Sequence, residues 1–206
     1  MGYKSLAQMP PRRNRPVSLY VRPHMIPLGY LKKHIVSRPE WLHAPSVIDI
    51  YSSAGCTSKK MDFNPYAIGV TSMGLLESPA VADTVCEREA DDIDDYTLFY
   101  YEGYDQEYDE KGHIWIPCVY GALDVQILTP SPIALIFHGY DIVEFDVQPG
   151  CSVLSCNSAA ERTTTNEHCL VESLEDAITA IESGAIQPAE PGPYRIIAVY
   201  TLTNAA

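Results

Sequence analysis

Short apolar segments, separated by prolines, glycines and charged residues, recur along this chain from Val17 to Leu202. The 16 prolines among 206 residues imply many loops. Because no long polar tract interrupts the apolar segments, we expect the chain to fold around a hydrophobic core. Stretches such as Ile133–Phe137 are far too short to cross a bilayer, so no contact with a membrane is predicted.

Most of these segments have the composition of β-strands, and three have the pattern of helices. The ranges predicted as strands are 17–22, 47–51, 96–102, 114–120, 124–128, 133–138, 141–147 and 194–202. The predicted helices are a short one over Leu28–Ile35, one from Ser78-Pro79 to about Ala90, and one that Ser173 caps and Gly184 ends. His138–Asp141 is interpreted as a tight hairpin turn, and residues 103–113 as an acidic turn.

This order of elements favours an α+β fold. We expect a largely antiparallel sheet of seven or eight strands, with two or three helices packed on one face. The last strand is a candidate for parallel pairing with the strand that begins at Asp141, because a long connection separates the two. Residues 1–16 are basic and rich in proline, and are predicted to form a flexible arm; residues 17–206 are predicted to form one domain.

Charge is divided between two blocks of opposite sign. Residues 1–43 hold eight basic residues (Lys or Arg) and one acid, which gives this segment a net charge of +7. The rest of the chain has a net charge of −20, so the total is −13. Residues 87–110 alone hold eleven carboxylates and five tyrosines. A surface of this kind typically meets a positive partner, and tyrosines suit an interface because they offer a large contact area with few rotors.

We therefore predict a small cytoplasmic binding protein that docks on a basic partner. Its most concrete form is an immunity or antitoxin protein that blocks the active site of a toxin. The residues predicted to contact the partner are Asp91, Asp92, Asp94, Asp95, Tyr100, Glu102, Tyr104, Asp105, Glu107, Tyr108 and Asp109. A solvated acidic loop is the alternative, and a calcium site fits poorly because the spacing departs from an EF-hand loop.

The polar segment Gly150–Cys169 is predicted to be a long loop, and it supplies an alternative function. Cys156 could act as a thiolate nucleophile with His168 as its base and Asn157 or Asn166 as the orienting residue. The spacing of its cysteines and histidine matches no standard zinc site. A purely structural loop is the third interpretation, and neither a metal nor another cofactor is predicted.

Other features restrict the function further. Six cysteines in a chain of this length do not form a typical disulfide framework, and most are expected to be reduced and buried. The charge of −20 beyond residue 43 opposes binding to nucleic acid. Association with a second copy of the chain is left open. A pocket could form near predicted strand ends, where four residues of interest lie: His113, His138, Cys118 and Asp141. An ordinary role as packed or surface side chains explains their presence equally well.

Overall fold

The computed structural model of the protein describes residues 24–54, 74–89, 96–118, 127–131, 134–145, 149–187, 189 and 192–203. The predicted arm over residues 1–16 and the predicted strand over residues 17–22 lie outside these ranges. Among the described residues, neither α-helix has the length or the apolar character that a membrane crossing requires.

The described residues form an α+β fold around a largely antiparallel sheet, as the sequence predicts. The main sheet has six strands, and not seven or eight, in the order β1-β4-β8-β6-β7, with β5 paired to β4. Strands β2 and β3 form a separate antiparallel pair. The elements are β1 (Met25–His34), β2 (Val36–Ser37), β3 (Asp49–Ile50), α1 (Pro79–Glu89), β4 (Tyr96–Asp109), β5 (Ile114–Pro117), β6 (Leu135–Phe145), β7 (Pro149–Ser152), α2 (Leu174–Glu182) and β8 (Tyr194–Leu202).

Strand β8 lies between β4 and β6 and is buried on both faces. Ile196 and Ala198 belong to the larger of two hydrophobic clusters, while the alternate residues Ile197 and Val199 belong to the smaller one. Both helices contribute to the larger cluster, through Ala82 of α1 and Ala177 of α2. The pairing of β8 with β6 is antiparallel, so the expected parallel pairing is wrong.

The segment predicted as the first helix is a strand. Residues 25–34 form β1, which pairs with β4 in a register that runs from Met25 opposite Tyr104 to His34 opposite Tyr96. The prediction failed because β1 buries both of its faces: Leu28, Tyr30 and Leu31 are all buried. Its apolar residues therefore do not alternate with polar ones, and their spacing also fits one side of a helix.

The predicted hairpin at His138–Asp141 is also wrong, because residues 135–145 form one continuous strand. Gly139 makes a bulge instead, with a φ of 140° and a shift in the register against β8. A Cβ atom on this residue would lie 2.8 Å from the Val171 carbonyl oxygen. Glycine thus lets the chain at Val171 approach β6 and exchange two backbone hydrogen bonds with Tyr140.

Both predicted helix starts are confirmed. The Ser78 hydroxyl accepts a hydrogen bond from the Val81 amide, and the Ser173 hydroxyl accepts one from the Asp176 amide. Gly184 follows α2 with a φ of 72°.

The segment from Gly150 to Glu172 is more ordered than the predicted polar loop. It begins with the end of β7 and contains a short 3-10 helix over Ala159–Glu161. Val153, Leu154 and Leu170 are fully buried, so the segment forms part of the core. Residues 127 and 128, the described end of the strand predicted over 124–128, lie in no strand.

Candidate functional site

The structure buries two of the predicted contact residues and leaves the others that it describes half-buried. Strand β4 continues through the expected acidic turn as far as Asp109, and it pairs with β1, β5 and β8. Tyr100 and Tyr108 are buried in the larger hydrophobic cluster, at 0% and 7% exposure, so they do not offer a contact surface to a partner. Asp91, Asp92, Asp94 and Asp95 lie outside the described residues.

The carboxylates of β4 bind groups of the same chain. Glu102 accepts hydrogen bonds from the hydroxyls of Tyr200, at 2.8 Å, and Tyr100, at 3.4 Å. Glu107 forms an ion pair with the buried Arg195, with 2.6 Å between Oε2 and Nη2. The remaining predicted contact residues also have internal partners: Asp105 pairs with His24, Asp109 accepts from the Lys111 amide, and Tyr104 packs edge-on against Trp115.

Exposed carboxylates are concentrated instead at helix α2. Glu172, Glu175, Asp176 and Glu182 are all exposed. Within the helix, the seven-residue spacing of Glu175 and Glu182 places them on one side, and Glu172 precedes the N-cap Ser173. Neither lysine nor arginine occurs between Thr163 and Tyr194. Exposed carboxylates are therefore grouped at α2, whereas the carboxylates of β4 are half-buried.

A fully buried carboxylate, Asp141, is the most unusual polar group in the core. Its Oδ1 accepts from the Ser152 hydroxyl at 2.6 Å. Its Oδ2 accepts from the Ser52 hydroxyl, the Ser53 hydroxyl and the Ser53 amide at 2.8–3.0 Å. We call Asp141 and these three serines the aspartate cluster. It joins β6 to the end of β7 and to the residues that follow β3.

Lys33 fixes the backbone around the aspartate cluster. Its side chain is 2% exposed, and its ammonium group donates to the carbonyl oxygens of Ser52 and Ala54. Burial raises the pKa of Asp141, while the hydrogen bonds from the serines act in the opposite direction. Four donors on one carboxylate make its burial tolerable, because they replace the bonds that water would supply.

A second polar group lies beside the first, and we call it the histidine cluster: Asp49, Tyr51, His138 and His168. His168 Nδ1 lies 2.7 Å from Asp49 Oδ1, and the His168 ring stacks on Tyr51 with 4.0 Å between ring centroids. The His138 ring meets His168 edge-on at 5.1 Å, and its Nε2 lies 2.8 Å from Thr201 Oγ1. Asp49 and His168 are partly exposed, so solvent reaches this cluster.

The loop residue Asn166 positions His168. Its side-chain oxygen accepts from the amides of His168 and Leu170, and its side-chain nitrogen donates to the His138 carbonyl at 2.7 Å. The sequence suggested Asn166 as an orienting residue for His168, but the contact is to the backbone of His168, whereas Asp49 contacts the ring.

Cys156, which was predicted as the nucleophile that pairs with His168, is not a thiolate. The Cys156 sulfur is disulfide-bonded, whereas Cys118, Cys151 and Cys169 are not. The expectation that the cysteines are reduced is therefore wrong for Cys156, and in this state it cannot attack a substrate. The described residues contain no group of three or more His, Cys, Asp or Glu arranged to hold a metal ion.

No protein family, no curated protein and no solved structure matches this chain.

Sequence reasoning noted His138 and Asp141 but missed their partners Asp49, Tyr51, Ser52 and Ser53. One signal for Asp141 was present: a carboxylate in the apolar run from Tyr140 to Val143. A charge in such a run is rarely buried without partners, so it predicts a polar cluster. The partners themselves lie about 90 residues earlier in the chain, and no local pattern marks them.

The state of the cysteines gives a chemical prediction. We expect an alkylating reagent, without reductant, to modify the half-buried Cys118 and Cys151 and to leave Cys156 unmodified. Cys169 should react slowly, because burial raises its pKa to about 12. Peptide mapping by mass spectrometry, before and after reduction, checks this. Labelling of Cys156 in the unreduced protein would contradict it.

Proposed function

We propose that the protein is a binding protein that docks on a basic partner through an acidic surface. The observation that carries the proposal is the group of exposed carboxylates at α2, in a stretch of more than 30 residues without lysine or arginine. Long-range attraction to such a face speeds association with a positive surface. An inhibitor of immunity or antitoxin type, which covers the basic cleft of a toxin, is the most concrete form of the proposal.

Two acidic segments are proposed to contact the partner. The first is the acidic segment at α2, represented by Glu172, which precedes the helix, and Glu175 in its first turn. The second consists of Asp91, Asp92, Asp94 and Asp95, which the sequence places in one five-residue stretch. The carboxylates of β4 are left out because they are half-buried as well as bound to groups of the same chain.

The test uses wild type and three variants as baits for affinity capture from an extract of the native host. One variant has Asn at positions 91, 92, 94 and 95, one combines Glu172→Gln with Glu175→Gln, and the control is Glu40→Gln, an exposed acid in another segment. Glu182 and Asp176 are kept, because they accept bonds from Trp115 and from the Ser173 cap.

We expect a recovered partner to bind at least one neutralised variant about tenfold more weakly at low salt, with a flatter salt dependence. The Glu40 variant should bind as wild type does. Equal affinity for all four proteins, or affinity that does not change with salt, would contradict the proposal.

An enzyme built on Cys156 and His168 has less support, because it requires the Cys156 disulfide to be reduced. The observation in its favour is the Asp49–His168 contact, which orients the imidazole as carboxylates do in catalytic dyads.

A further inference from the structure

The histidine cluster joins three segments that are distant in sequence. Asp49 and Tyr51 belong to the β3 segment, His138 to β6, and His168 to the loop before α2. Backbone bonds connect the first and third segments, since the amides of Ile48 and Asp49 donate to the Glu167 carbonyl and the Tyr51 amide donates to the His168 carbonyl. The contact of these two segments with β6 depends in part on the packing of His138 against Tyr51 and His168.

The two acids near the histidine cluster differ in their distance from His168 and in their exposure. Asp49 is the carboxylate that contacts His168, and the next acid, Glu167, is 63% exposed and lies 3.9 Å from His168 Nε2. Among the described residues, Tyr51 and Thr201 also contact the histidine rings, and neither is charged at neutral pH. One well-placed carboxylate can balance one imidazolium, so a second protonated ring at 5.1 Å meets repulsion.

His138 is the ring that resists protonation. Burial lowers its pKa from the usual 6.5, the neighbouring His168 lowers it further, and Asp49 acts in the opposite direction. The unfolded chain therefore binds a proton on His138 more readily than the folded chain does. The contribution of neutral His138 to stability is therefore complete above pH 6.5 and falls as the pH decreases below that value.

We propose that the histidine cluster is an acid-sensitive clasp, which holds residues 48–53 and 166–171 against β6 at neutral pH and releases them when His138 is protonated. Release exposes what these two segments cover. Ser52 and Ser53 withdraw from Asp141, and Cys169, which is 2% exposed, becomes accessible. The protein thereby acquires a locally open state at acidic pH without loss of the whole fold.

Cys169 is the probe for this opening, because it follows His168 directly and its thiol is buried. The protein is pulsed with a dithiodipyridine reagent, which reacts at acidic pH, and labelling at each cysteine is quantified by mass spectrometry. The ratio of the Cys169 labelling rate in wild type to that in His138→Phe is compared at pH 7.5 and pH 5.5. Phenylalanine keeps an aromatic ring at this position but cannot be protonated.

We expect this ratio to be up to about tenfold larger at pH 5.5, since one proton changes an equilibrium tenfold per pH unit. His138→Gln, which keeps a polar group for Thr201, replaces His138→Phe if that variant does not fold. His43→Gln, which removes an exposed histidine, should behave as wild type. Near-ultraviolet circular dichroism at the same pH should report a folded protein.

Two results would overturn the proposal. One is an equal ratio at both pH values, which would mean that His138 does not control the opening. The other is Cys169 labelling that rises only together with loss of the near-ultraviolet signal, which would assign the acid effect to global unfolding.

Discussion

Replacing Asp141 with alanine is expected to lower the free energy of unfolding by about 3–5 kcal/mol, the range for breaking a buried, hydrogen-bonded charge network. The substitution leaves the Ser53 amide and three serine hydroxyls without their acceptor in a region that water does not reach. Urea denaturation at pH 7.5, followed by tryptophan fluorescence and circular dichroism, measures the change.

Two further variants make this result specific to the aspartate cluster. Ser152→Ala removes one of the donors and should cost about 1 kcal/mol. Glu175→Ala removes an exposed carboxylate from α2 and should change stability by less than about 0.5 kcal/mol. A loss of less than 1 kcal/mol for Asp141→Ala would mean that water satisfies the serines, and would refute the structural role given to this residue.

Removing Arg195 is expected to have the second large effect, a loss of about 3–5 kcal/mol for Arg195→Ala. Its guanidinium binds the Glu107 carboxylate through Nε and Nη2 and lies 3.6 Å from the centroid of the Phe145 ring. The substitution leaves Glu107, which is mostly buried, without its cation, and also removes the cation–π contact. Chemical denaturation of the single variants and of a double variant measures the effect.

The double variant Arg195→Met with Glu107→Gln tests whether the cost comes from an unpaired charge. We expect it to be more stable than Arg195→Ala, because both charges are removed together and the methionine fills part of the space. Additive losses from the two positions would show that the ion pair contributes nothing beyond the separate side chains.

The parts of the fold that depend on neighbouring residues in the chain could be predicted from the sequence. The starts of α1 and α2 depend on a serine and the residues next to it, and both were predicted. Strand β8 was predicted with its bounds, because the apolar run Ile196–Tyr200 has β-type composition and follows a proline-rich connector. Two features were missed because each depends on a neighbouring segment. Residues 25–34 form a strand and not a helix because both faces are buried, and β6 continues through Gly139 because Val171 approaches it there.

The candidate sites were harder to predict for the same reason. Glutamates and tyrosines in β4 were interpreted as a surface, whereas pairing of the strand with three others turns Tyr100 inward and gives Glu102 and Glu107 internal partners. His168 was singled out with Cys156 because both belong to one segment. The residue that contacts its ring, Asp49, is 119 positions away. Such a distance leaves no trace in local composition or spacing.

The position of β8 has a consequence for how the protein folds during its synthesis. Strands β4 and β6 contact each other through β8, so the two halves of the sheet are joined only when residues 194–202 insert between them. During synthesis, the other described strands leave the ribosome earlier, and β4 and β6 each keep an unpaired edge until β8 is made. A nascent chain that stops before Tyr194 would therefore have no continuous sheet, and would offer the edges of β4 and β6 to chaperones or to other chains.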